Sequence, residues 1–254
     1  YRRVIRIPVE YRDLTENEIR DLESRILFED NHLLVVNKRV GEIVQSDKTG
    51  DECLCETLKA YIAKRDAKPG KVFMGLPHRL DRPVSGVCVF AKTSKALERL
   101  NEMFRGSQMH KTYLALCCGC PPQKEAELSD YLWRNEKQNK SYVCGEDRKG
   151  AKLARLRYSL IGKTDRYYLL SVTLLTGRHH QIRCQLSNMG CVIKGDLKYG
   201  APRSNPDAGI CLHAYSIEFT HPVKKEPIRI EAPILSSWSR IVNPLLAEEN
   251  AHTR

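Results

Sequence analysis

The sequence has no apolar run approaching the roughly 20 residues needed to cross a bilayer. Residues 1–10 alternate Arg with Val and Ile, without the apolar segment and small-residue cleavage site of a secretory signal. A soluble, cytoplasmic protein with no membrane contact is expected. Well-separated C-x-x-C pairs are missing too, although the chain carries ten cysteines. The groups Cys53/Cys55 and Cys117/Cys118/Cys120 lack zinc-site spacing, and no H-x-x-x-H accompanies them. Because several cysteines sit in apolar runs such as Val87-Cys88-Val89-Phe90, they read as reduced, buried thiols. No H-E-x-x-H motif, internal repeat or low-complexity tract is present, so metalloprotease-type metal catalysis is set aside.

Acidic residues are in deficit. There are 31 Asp and Glu against 42 Lys and Arg, a formal net charge of +11 on 254 residues. The excess is uneven. Residues 134–157 hold Arg134, Lys137, Lys140, Arg148, Lys149, Lys152, Arg155 and Arg157 against Glu136, Glu146 and Asp147. Residues 178–203 add Arg178, Arg183, Lys194, Lys198 and Arg203 against Asp196 alone. Such runs serve either solubility or a polyanionic partner.

Thr15 and Glu18 have the form of a capping box before Ile19, Leu22 and Ile26 at helical spacing. An apolar strand at 33–36 and a return at 43–44 flank a turn at Gly41, and Leu54, Leu58 and Ile62 mark a second helix. A strand at 86–91 leads into a helix capped by Ser94, with Leu97, Leu100 and Phe104 on its apolar face. Further strands are expected at 112–117, 153–161, 167–175 and 211–219. Strands adjoin one another as often as they alternate with helices, which predicts an α+β fold with a central mixed, mainly antiparallel sheet and flanking helices. The predicted organisation is an N-terminal extension with a short helix (1–27), one catalytic domain (28–243) and a loose polar tail (244–254). With about 30 residues ahead of the strand at 33–36, no separate small domain is expected there.

Three segments carry candidate chemistry. In His78-Arg79-Leu80-Asp81-Arg82-Pro83-Val84-Ser85-Gly86, ionisable groups, Pro and Gly stand directly before a strand. Flanking Arg79 and Arg82 favour the anionic form of Asp81, which suits a nucleophile or base; the alternative is a side chain that only caps its own turn. The run Thr176-Gly177-Arg178-His179-His180-Gln181-Ile182-Arg183 reads as a turn entering a helix that Gly190 stops. Free backbone N–H groups at that helix start suit a phosphate, while His180 and Gln181 also fit as orienting residues. In His110-Lys111-Thr112-Tyr113-Leu114-Ala115, Tyr113 is either a stacking platform or a core aromatic.

Together these segments resemble the RluA-type pseudouridine synthases. The likeness runs from about residue 33 to 233, through His78-Arg79-Leu80-Asp81 with Ser85-Gly86, then Lys111-Thr112-Tyr113-Leu114-Ala115, Thr176 to Arg183, Gly195-Asp196 with Tyr199-Gly200, and Leu212-His213-Ala214 with His221-Pro222. Val36-Asn37-Lys38 with Gly41 is similar to the family's first motif, with Arg39 where Pro is common. Val84 stands where the family usually has Thr.

The resemblance implies isomerisation of uridine in structured RNA, rRNA or tRNA, without cofactor or metal, by a protein expected to be a monomer. It implies Asp81 as the catalytic aspartate, Tyr113 packing against the target base, and Arg183 pairing with the carboxylate. Arg79 would fill the stack vacated by the everted nucleotide. Arg79, His78, Arg82, Arg178, His180, Gln181 and Lys111 are the expected RNA-binding residues. A non-catalytic RNA-binding or ribosome-assembly factor is the alternative; a glycosidase is disfavoured because no second motif carboxylate is an obvious partner for Asp81.

Overall fold

The structure, a computed structural model, describes residues 9–253; the first eight residues of the expected extension lie outside them. Helix α1 (Glu16–Arg25) opens on the predicted capping box, with Thr15 accepting the Glu18 amide and Glu18 accepting that of Thr15. Ten strands then build one sheet. They are β1 (Ile26–Glu29), β2 (Leu33–Lys38), β3 (Ser85–Ala91), β4 (His110–Cys117), β5 (Glu125–Asn135), β6 (Lys140–Cys144), β7 (Lys152–Lys163), β8 (Tyr168–Leu174), β9 (Leu212–Thr220) and β10 (Pro227–Glu231). The order is β1-β2-β3-β9-β4-β8-β7-β5-β6, with β10 also on β9. Every pairing is antiparallel except β3 with β9.

Helices cover β2 and β3 on both faces, which is why these strands read as unbroken apolar runs. Successive side chains of a strand point to opposite faces. Leu34, Val36, Cys88 and Phe90 accordingly join Leu58 and Ile62 of α2 (Leu54–Arg65) in one cluster. Leu33, Val35, Val87 and Val89 join Ala96, Leu100 and Met103 of α3 (Ser94–Arg105) in the other. The β5-β6-β7 wing is thinner. There Leu132 and Ala154 pack with Cys184 of α4 (Gln181–Asn188) and Tyr199, while the strand edges stay open to solvent.

Several expectations need correction. The segment 244–254 was expected to be a loose polar tail, but α5 (Ser239–His252) runs through Pro244. Val242 is fully buried and Leu245 and Leu246 pack on the main cluster, so burial of these apolar side chains holds a segment whose polar composition suggests none. The return at 43–44 makes a single bridge to Cys53 rather than a strand. Thr93, not Ser94, caps α3. Not every thiol is buried: Cys118 and Cys120 are exposed and Cys144 is half-buried. Among the described residues no helix is long and apolar enough to cross a membrane.

The parallel seam lies directly behind the Asp81 turn. At its start Ser85 and Gly86 pair with His213 and Ala214. Ser85 Oγ and His213 Nδ1 are 2.8 Å apart, and His213 Nε2 reaches the Ala232 carbonyl at 2.8 Å. Gly86 has φ +121°, and a Cβ there would collide with the Ala214 backbone. Gly86→Ala combines backbone strain with overpacking and is expected to cost about 3 kcal/mol. An unchanged urea midpoint would contradict this reading of the seam.

Candidate active site

The turn carrying Asp81 is pinned through its backbone. Lys38, at the end of β2, is fully buried, and its ammonium donates to the carbonyls of Arg39, Arg82 and Val84 at 2.9, 3.2 and 2.6 Å. Gly41 donates to Arg82 O, Ile210 to Pro83 O, and Val84 to Asp81 O. Burial pulls the Lys38 pKa down to about 8. A lysine inside an apolar strand is the sequence signal for this clamp, since such a charge needs several acceptors to be buried at all.

Opposite the turn, α4 brings Arg183 to the carboxylate. Arg183 makes a two-pronged ion pair with Asp196, Nε and Nη2 each 2.8 Å from a carboxylate oxygen, and both side chains are buried. Its remaining nitrogen, Nη1, stands 3.6 Å from Asp81 Oδ2 and 3.2 Å from His180 Nε2. A guanidinium has only donors, so Nε2 accepts. The other ring nitrogen, Nδ1, then carries the hydrogen and meets Tyr199 Oη at 2.9 Å. Burial, followed by the charge of Arg183, pushes the His180 pKa down to about 2, so the ring stays neutral. His180 is a left-handed residue, φ +51°, at the entry to α4.

The expected cation on Asp81 is thus present, but it is shared. Asp196, which the sequence offered only as part of a motif, holds Arg183 from behind. Asp81 itself is 39% exposed on its side chain and borders a cavity of about 230 Å3 with Tyr113, Val84, Leu212 and Arg183. The Tyr113 ring is buried at the cavity wall; burial, and then the nearby Asp81, raise its phenol pKa. Asp81, Tyr113 and Arg183 therefore face one space.

The expected RNA contacts divide. Arg79 and Arg178 border both this cavity and a larger one of about 950 Å3, which Lys111 and His78 also line. Burial lowers the Lys111 pKa, and its ammonium lies 5.4 Å from the Phe104 ring centre. His78 turns inward: Nε2 accepts the Val89 amide at 2.9 Å and the ring stacks on Phe104. His180 and Gln181 line the smaller cavity but are buried and internally bonded. Gln181 accepts from Thr176 Oγ1 and the Arg178 amide and donates to Arg155 O. Arg82 departs furthest, pairing with Asp51 at 2.8 Å rather than flanking Asp81. Adjacent residues in a tight turn send their side chains apart, and sequence proximity does not report this.

No three His, Cys, Asp or Glu side chains among the described residues are grouped to hold a metal ion. The arrangement is a carboxylate facing an open cavity, one guanidinium beside it and an aromatic wall. Residues 32–188 match the family described as RNA pseudouridylate synthase. A protein of Pasteurella multocida named ribosomal large subunit pseudouridine synthase C is 32% identical over 93% of this chain and 72% of its own length. A Helicobacter pylori protein named uncharacterized RNA pseudouridine synthase is 31% identical over 91% and 72%. The solved structure of human RNA pseudouridylate synthase domain containing 4 superposes with a TM-score of 0.74 at 22% identity, covering 90% of this chain and 95% of the other. The chain belongs to the RNA pseudouridylate synthase family, and it is an RNA-modifying isomerase.

Two outcomes follow for the site. Asp196→Asn leaves Arg183 without its buried partner, and stability is expected to fall by about 3–5 kcal/mol in urea titration; a loss below 1 kcal/mol contradicts the assigned pairing. With the His180 pKa lowered to about 2 the ring is uncharged from pH 5 to 8. Turnover measured across that range should show no step assignable to His180, so a step near pH 6.5 that disappears in His180→Asn would refute the neutral, accepting ring.

Proposed function

We propose that Asp81 is the catalytic carboxylate of a synthase that converts uridine to pseudouridine in large-subunit rRNA, working as a monomer in the cytoplasm. The observation that carries the reading is the convergence of Asp81, Arg183 and Tyr113 on one cavity. The rRNA assignment is supported by the printed names of relatives such as that of Pasteurella multocida.

The reaction breaks the bond between ribose C1′ and uracil N1 and forms one between C1′ and C5. A proton leaves C5 and N1 gains one, so the product is an isomer. As the first bond breaks, positive charge develops at the sugar, and an anionic Asp81 can attack C1′ or stabilise that charge. Arg183 sets a positive charge 3.6 Å from that carboxylate. Tyr113 offers the freed uracil a wall while it turns. A base in structured RNA must be everted first, at a cost of a few kcal/mol, and Arg79 at the junction of the two cavities is placed to fill the vacated stack.

The test uses RNA metabolically labelled with [5-3H]uridine in cells lacking the gene, since loss of the C5 proton releases tritium. Wild-type protein should release tritium and Asp81→Asn should fall at least 1,000-fold, a loss of about 4 kcal/mol of barrier lowering, while binding RNA within about three-fold of wild type. Equal release by Asp81→Asn removes the carboxylate from the mechanism. Silence of the wild type on this RNA would refute the functional reading and favour an RNA-binding factor. Tyr113→Ala should lower turnover about 100-fold or more without unfolding the chain, as read by circular dichroism; unchanged turnover separates the ring from the reaction.

A further inference from the structure

Past Gly177, Arg178 and His179, which border both, the cavity at Asp81 adjoins another of about 370 Å3 against the β5-β6-β7 wing. That volume lies within the ~300–1,000 Å3 of small-ligand sites. Arg134, Lys152 and Arg178 line it against a single carboxylate, Glu136. None of the three cations makes an ion pair among the described residues, whereas Arg155 and Arg157, further along the same strand as Lys152, both pair with Glu127. The Arg178 guanidinium is anchored by Nε to Leu153 O at 2.8 Å, which leaves its other nitrogens available.

The remainder of the wall is fixed and partly aromatic. Ser141 Oγ donates to the His179 carbonyl at 2.8 Å, and the His179 ring stacks on His180 at 3.8 Å. Trp133 follows Leu132 in β5 and so turns to the opposite face, where the Arg148 guanidinium lies 3.7 Å from its ring centre. Gathering cations on a concave wall costs repulsion unless an anion completes them. A uridine everted toward Asp81 remains tied to its neighbours by phosphodiesters, and one of those neighbours must leave its cavity on this side or toward Lys111.

We propose that the 370 Å3 cavity is a subsite for the nucleotide adjoining the everted uridine in the same RNA strand, its phosphodiester held by Arg134, Lys152 and Arg178. This rests on the pseudouridine synthase reading with Asp81 at the centre, and it assigns to the wing the selection of the flanking nucleotide.

The test combines Arg134→Gln with Lys152→Gln in the full chain; both side chains are exposed, and circular dichroism confirms that the fold is kept. Tritium release is followed on the same [5-3H]uridine-labelled RNA. The double variant should raise KM at least five-fold with kcat within two-fold of wild type. With Asp81→Asn in the background, the slope of log affinity against log salt should flatten by about 0.7, the value for one phosphate contact on a single strand. Unchanged KM and slope in an active enzyme overturn the subsite, as does a fall in kcat alone, which would place these cations in support of Asp81. A wild type that releases no tritium fails the functional reading instead, so the two failures are distinct.

Discussion

The site depends on one guanidinium held between two carboxylates. Arg183 gives its two-pronged face to Asp196, where both charges are buried and the planar fork matches the carboxylate. What it shows Asp81 is a single nitrogen at 3.6 Å. The division has a chemical consequence. A carboxylate that itself took the fork would have both oxygens committed to the cation, whereas Asp81 keeps a nearby positive charge and free lone pairs. Asp196 absorbs the cost of burying the guanidinium, and the neutral His180 fixes where the third nitrogen points. Protonation of that ring would set cation against cation, so the low His180 pKa and the position of Arg183 are two views of one constraint.

The fold supplies this geometry by uniting distant segments at the parallel seam. Lys38 at the end of β2, Gly86 at the start of β3 and the facing Ala214 of β9 fix the backbone immediately after Asp81. Tyr113 comes from β4, the next strand across, and Arg183 from α4. A buried ammonium is costly unless saturated, and two of the three carbonyls it meets, those of Arg82 and Val84, tie the turn around residues 82–84 to the end of β2. Asp81 is therefore positioned by main-chain contacts that no substitution of its own side chain disturbs.

Much of this was legible in the sequence, for identifiable reasons. The capping box at Thr15, the spacing of Leu54, Leu58 and Ile62, and the unbroken apolar runs of β2 and β3 are local signals, and each corresponds to an element. The motifs carrying Asp81, Tyr113 and Arg183 mark candidate residues, and the structure brings the three to one cavity. Hidden were the facts that need a third dimension. Arg82 is beside Asp81 in the chain but turns to Asp51, while Asp196 is 13 residues from Arg183 and grips it. Strand β5 was missed although Ala126, Leu128 and Leu132 alternate, because the charges around Arg134 dominate a reading by composition. Helix α5 was missed because its burial depends on β7, a strand far away in sequence.

The exposure of Asp81 fits the order in which the site is completed. In the free protein the side chain is partly open to water, and water weakens its attraction to Arg183. A pyrimidine stacked on Tyr113 and a sugar over Asp81 would expel that water, and the same 3.6 Å separation would then act through a lower dielectric. Under the proposed reading the interaction is weak in the free protein and would strengthen once a substrate closed the cavity. A chain built this way need not bury an uncompensated carboxylate during folding, yet it holds one whose interaction with the guanidinium would grow as a nucleoside arrived.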